Sequence, residues 1–123
     1  MVAKCALLII LTSVGYFPGN SSAADDEGFK KMMALMTGAD ITYERVGHYE
    51  RPFKVLVEGG DWILEQQINY QRSTIRSAGD KKISVNDFPH NWVINGTWTF
   101  SQDGGRCKIE HADGGMVMRW ECG

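Results

Sequence analysis

The sequence predicts a mainly β, or α+β, domain. One short N-terminal helix should pack on a curled antiparallel sheet of roughly six to eight strands, forming a half-barrel or a small closed barrel. Three observations carry that expectation. Glycine supplies 14 of the 123 residues, and six of them form three pairs between apolar runs, the mark of a chain of tight turns. The hydrophobic period is helical before Gly38 and two after it. Two cysteines near the C-terminus, Cys107 and Cys122, fall on successive predicted strands, where a disulfide would staple them.

Residues 1–23 read as a cleavable export signal. Lys4 supplies the positive end, Cys5 to Phe17 the apolar stretch, and Asn20-Ser21-Ser22-Ala23-Ala24 a small-residue exit in which cleavage after Ala23 or Ala24 fits equally. The apolar run of about 13 residues is shorter than the roughly 20 that a spanning helix needs. The expectation is therefore export without a membrane anchor, periplasmic in a bacterial host and secreted in a eukaryotic one. What remains, residues 24–123, is a single domain. Its hydrophobic content of 43% and charged content of 23%, both counted over the whole chain, are those of an ordinary globular protein. A net charge of −2 lacks the basic footprint of a nucleic-acid binder.

The helix is expected from about Glu27 to Thr37. Asp25, Asp26 and Glu27 sit where the helix dipole favours acids, and Phe29, Met32, Met33 and Met36 recur on one face. Three turns are too few to hold alone in water, so that face must pack against the sheet. Ile41 and Tyr43 open the strands. Phe53, Val55 and Val57 then lead to Gly59-Gly60, with Trp62, Leu64, Ile68 and Tyr70 alternating on the far side. A two-residue Gly-Gly turn pairs Val57 with Trp62, Val55 with Leu64 and Lys54 with Glu65, and sets Glu58 against Asp61. Ser73–Arg76 and Ile83–Val85 are further strands, and residues 86–91 a loop that includes His90; His48 is also placed in a loop.

In the last third, Trp92, Ile94, Trp98 and Phe100 share one parity. Turns at Asp103-Gly104 and Gly114-Gly115 would set Phe100 opposite Cys107, Trp98 opposite Ile109, Cys107 opposite Cys122, Ile109 opposite Trp120 and His111 opposite Met118. Outward, Lys108 would meet Glu121, and Glu110 would meet Arg119. The disulfide, closing a loop of about 15 residues, should stabilise the fold by roughly 3 kcal/mol.

Chemistry is sparsely encoded. No Gly-x-Ser-x-Gly elbow is present, both mature cysteines are claimed by the disulfide, and the histidines are scattered singly, so neither a metal site nor a cofactor is expected. His111 could handle protons near neutrality, though its parity suits a structural histidine beside the turn. Trp98 and Trp120 fit the core, whereas Trp62 and Trp92 lie at strand starts where one could be exposed. Asn95-Gly96-Thr97 is a glycosylation sequon, meaningful only in a eukaryotic secretory route. Gly96-Thr97-Trp98 also resembles the Gly-x-Trp signature of lipocalin-like barrels, but the match covers three residues and lies near the C-terminus rather than in the first strand, so it names no family; the expectation of a small closed or nearly closed barrel rests on the strand pattern alone.

Three function classes follow. The first is a small exported, disulfide-stapled binding or inhibitory module that meets a protein partner through its surface, with Trp62 or Trp92 as exposed aromatics. The second is a carrier of a small apolar ligand in a helix–sheet cavity lined by Phe29, Met33 and Met36. The third, and the one enzyme reading, is a small hydrolase using His111.

Overall fold

The computed structural model describes residues 19–45, 48–89 and 93–123; most of the segment expected to be an export signal, His90 and Trp92 lie outside them. A helix, α1 (Gly19–Met36), precedes eight strands: β1 (Ile41–Arg45), β2 (His48–Glu58), β3 (Asp61–Gln66), β4 (Arg72–Gly79), β5 (Lys82–Val85), β6 (Gly96–Asp103), β7 (Arg106–His111) and β8 (Met116–Glu121). Every strand is antiparallel to its chain neighbour, and β1 pairs with β8. The sheet is a closed up-and-down barrel, which leaves no free edge. Outward positions carry Glu44, Arg76, Lys108, Glu110 and Arg119, the reverse of the apolar exterior of a membrane barrel.

An eight-stranded barrel is just wide enough for side chains to fill. Trp98, Phe53, Leu64, Ile83, Ile109 and Met118 are fully buried within it. Tyr43 meets Phe53 at 5.5 Å and Phe53 meets Phe88 at 6.1 Å, both edge-on, while the Tyr43 hydroxyl donates to the Met116 Sδ at 2.9 Å.

The helix begins at Gly19, earlier than the acids suggest, so Asp25, Asp26 and Glu27 lie within it rather than at its first turn. Ala23 and Ala24 are strong helix formers and carry the helix upstream. Its predicted apolar face is buried: Phe29, Met32, Met33 and Met36 all join the core. The C-terminal end is tied to the barrel. Gly38 N–H donates to the Val55 carbonyl at 3.1 Å, and Trp120 Nε1–H donates to the Leu35 carbonyl at 2.8 Å, occupying one acceptor that a helix end leaves open. Phe29 stands edge-on to Trp62 at 5.2 Å. The helix thus lies across the barrel end that carries the Gly59-Gly60 and Asp80-Lys81 turns.

Register agrees with expectation in one hairpin and departs from it in two. Val57 pairs with Trp62, Val55 with Leu64, Lys54 with Glu65 and Glu58 with Asp61, as the Gly59-Gly60 turn requires. The like-charge pair Glu58–Asp61 is tolerated because the Arg72 guanidinium reaches across from β4 to both Glu58 and Glu65. Strand β3 ends at Gln66, however, and Ile68 and Tyr70 belong to a loop closed by Gln66 N–H to the Gln71 carbonyl and Tyr70 N–H to the Gln66 carbonyl. His48 opens β2 instead of lying in a loop, and Ile94 is buried ahead of β6 rather than within it.

In the C-terminal meander both turns sit differently. Phe100 opposes Ile109 and Trp98 opposes His111, because the turn is Gly104-Gly105. Cys107 opposes Trp120 and Ile109 opposes Met118, because residues 112–115 form a four-residue turn. Gly114 N–H donates to the His111 carbonyl, and the Asp113 carboxylate accepts from Gly115 N–H at 2.9 Å. The expected charge pairs of Lys108 with Glu121 and Glu110 with Arg119 are therefore replaced; Lys108 faces Arg119. The disulfide forms nonetheless. Cys122 N–H continues the ladder to the Gly105 carbonyl, which leaves it diagonal to Cys107 with their Cα atoms 5.8 Å apart.

Candidate functional site

His111 is built into the barrel wall. Its Nδ1 accepts from Asp113 N–H at 3.2 Å and its Nε2 lies 2.8 Å from the Asn95 carbonyl. The ring also stands edge-on to Trp98 at 4.9 Å. Gly96 makes room for it: a Cβ there would lie 2.6 Å from His111 Nε2. This explains the glycine of Gly96-Thr97-Trp98 locally. Both nitrogens are occupied by backbone groups, and Asp113 Oδ1, 3.2 Å from Nδ1, is the nearest acid.

Of the other predicted residues, Phe29, Met33 and Met36 share one core cluster with Trp62 packed against it, and Asn95 lies apart from them. Met33 and Met36 are completely buried, and Phe29 and Trp62 pack against each other at the helix end of the barrel. Asn95 is half-buried, and its carboxamide is clamped by Phe88, accepting from its N–H at 3.0 Å and donating to its carbonyl at 3.1 Å. A glycan on Asn95 would require that clamp to open.

At the opposite end of the barrel, the loop between β3 and β4 breaks several local rules at once. Tyr70 is 68% exposed and Ile68 55%, large apolar surfaces on a loop tip. Tyr70 has a φ of 60°, a left-handed conformation unfavourable for a bulky aromatic residue. Gln71 N–H donates to the Asn69 side chain to complete the turn. Gln66 is 4% exposed, and among the described residues neither its Oε1 nor the buried Oε1 of Gln71 has a hydrogen-bond partner. An unsatisfied buried acceptor of this kind costs about 1–3 kcal/mol. Strain gathered on a loop that presents an aromatic ring is characteristic of functional sites. Val93, exposed in the loop between β5 and β6, stands on the same rim by topology. Sequence alternation had assigned Ile68 and Tyr70 to a strand; the Asn69 turn signal was the clue to their true place.

Among the described residues, two of the grooves lie outside the barrel. One, about 530 Å³, runs over β6, β7, β8 and β1 beside the disulfide, where a cross-strand row of Ser101, Lys108, Arg119 and Thr42 brings two cations side by side. Glu110 holds Lys108 at 3.3 Å and Glu44 holds Arg119. The other, about 340 Å³, lies between α1 and the β4–β5 hairpin. Among the described residues no cluster of three or more His, Cys, Asp or Glu side chains is arranged to hold a metal ion.

Comparison with protein-family models, with curated proteins and with solved structures finds no match to this chain. The functional reading therefore rests on the geometry alone.

Proposed function

We propose that the protein is a small exported binding or inhibitory module that engages a protein partner through its surface, with the Ile68–Tyr70 loop as the contact. The observation that carries this reading is the loop itself: an exposed tyrosine held in a left-handed conformation, flanked in the chain by Gln66 and Gln71, whose buried Oε1 atoms have no partner among the described residues. Tyrosine is among the residues that most often anchor interfaces, since it offers a large rigid surface at a small entropic cost. The filled interior supports the same reading, because Trp98, Phe53, Met33 and Met36 occupy the space that an enclosed ligand would need. The disulfide is compatible with an oxidising compartment, periplasmic or secreted according to host. The hydrolase reading draws no support from a histidine whose nitrogens are both taken.

The test is native mass spectrometry of the protein purified gently from its own cells and surrounding medium, beside an Ile68→Ser/Tyr70→Ser variant. The wild-type protein should carry a second protein, and the variant should lose it while keeping its circular-dichroism spectrum. A wild-type protein that is bare, or that retains only a molecule of a few hundred daltons, overturns the reading. The same spectrum reports cleavage after Ala23 or Ala24 and any glycan on Asn95.

A further inference from the structure

We infer that the groove between α1 and the β4–β5 hairpin binds a small anionic amphiphile, a short alkyl chain ending in a carboxylate. The inference is independent of the Ile68–Tyr70 loop, which lies at the other end of β4. Phe29, Met32 and Leu35 from α1 and Phe100 from β6 form an apolar floor, and the groove's volume of about 340 Å³ falls within the range of small-ligand sites, roughly 300–1,000 Å³. Lys31 and Lys81 stand on its two walls, with Asp80 the single carboxylate among the lining residues.

Charge complementarity selects the head group. Seven lysines occur in the chain. Among those in the described residues, Lys54 and Lys108 are ion-paired, whereas Lys30 and Lys31 on α1 and Lys81 and Lys82 at the hairpin are exposed and have no carboxylate within ion-pair distance. Among the described residues of this net-negative protein, the unpaired lysines are thus confined to the two elements that flank an apolar groove. The walls are held in place: the Lys81 carbonyl accepts from Phe100 N–H at 2.7 Å, which ties the hairpin to β6. At one end of the groove is Gly28, in a helix interior where glycine is disfavoured relative to alanine. A Cβ built there would meet nothing within 4 Å, so that end stands open. A carboxylate between Lys31 and Lys81 would leave its alkyl chain on Met32, Leu35 and Phe100, shielded from water.

The experiment is an amide NMR titration of the full disulfide-bonded protein with decanoate below its micellar concentration, with decanol and decyltrimethylammonium as controls. Decanoate should shift amides on Gly28–Leu35, Gly79–Lys82 and Phe100–Gln102, and decyltrimethylammonium should not. A Lys31→Glu/Lys81→Glu variant should bind decanoate at least 10-fold more weakly. Gly28→Leu, which fills the open end without a packing clash and raises helix propensity, should do the same with the fold intact. Binding in a Tyr70→Ser variant should match the wild type. Absence of shifts, shifts confined to other surfaces or the barrel interior, equal binding of the cationic amphiphile or of decanol, or full affinity in both groove variants would each overturn the assignment.

Discussion

The β2–β3 hairpin and the β6–β7–β8 meander are built from the same materials, glycine turns between alternating strands, yet only the first has the register its sequence suggests. At Gly59-Gly60 one turn frame is available. Both glycines have positive φ, 59° and 86°, the signature of a type I′ turn whose twist suits a hairpin. Asp103-Gly104-Gly105 offers two overlapping frames instead. The chain takes the later one, with Gly104 alone at positive φ, as in a type II′ turn. At Asp113-Gly114-Gly115 the aspartate side chain stabilises a wider turn. Each choice moves the pairing by two residues. Since the side-chain period of a strand is two, every inward residue stays inward while all partners change. Facing is thus robust to turn choice, and pairing is not.

The strongest perturbation of this contrast is removal of the disulfide. Replacing Cys107 and Cys122 together by serine should lower stability by about 3 kcal/mol, the chain-entropy scale for this loop. Urea denaturation of the double variant, and of the wild type under reductant, should agree. A loss below about 1 kcal/mol would mean that the ladder alone holds β7 to β8.

The two Gly-Gly turns can be separated next. Gly60→Ala meets no atom within 4 Å but forces alanine to a φ of 86°, and should cost about 1–2 kcal/mol. Gly105→Ala, outside the positive-φ set and in ordinary contact with Gly123, should be close to neutral. Equal losses in denaturant midpoint would contradict the assignment of two turn types.

Asp113→Ala removes the acceptor for Gly115 N–H and should cost about 1 kcal/mol. Asp113→Asn retains an oxygen and should lose less. Because β8 is hydrogen-bonded to β1 as well as to β7, the variant should be weakened without changing register, which amide hydrogen exchange along β8 can report.

The smallest effect concerns the outer face of the β2–β3 hairpin. Hydrogen bonding from Arg72 holds the Glu58 carboxyl below its ordinary value of 4.5. A carboxyl lowered in the folded state stabilises above that ordinary value and loses its contribution as pH falls through the lowered one. The melting temperature of Glu58→Gln should therefore fall less steeply than that of the wild type on acidification. Parallel curves would remove any role for the pair.

Much of the fold was legible because periodicity and burial are local to each element. Phe29, Met32, Met33 and Met36 were readable as one buried face, and Trp98 and Trp120 as core. The Cys107–Cys122 pairing was readable even though its assumed geometry was not, since a diagonal placement across one ladder also brings Cα atoms within bonding range. The candidate sites were far less visible. Ile68 and Tyr70 mimic strand alternation, and a single turn residue between them, Asn69, is a weak local sign that β3 has already ended at Gln66. Lys31 and Lys81 are 50 positions apart. Their association exists only because the helix lies across the barrel end that carries the β4–β5 turn.

By itself, the sequence determined which residues turn inward in the helix and in the β6–β7–β8 meander, where the helix gives way to strands and which cysteines pair, because hydrophobic period and turn chemistry act over a few residues. Closure of the sheet, the partners across β6, β7 and β8, the seating of His111 over Gly96 and the grooves outside the barrel were decided by the tertiary structure. Each depends on contacts between distant segments, and the register that satisfies β1, β7 and β8 together is the one in which every strand of a closed barrel has two neighbours.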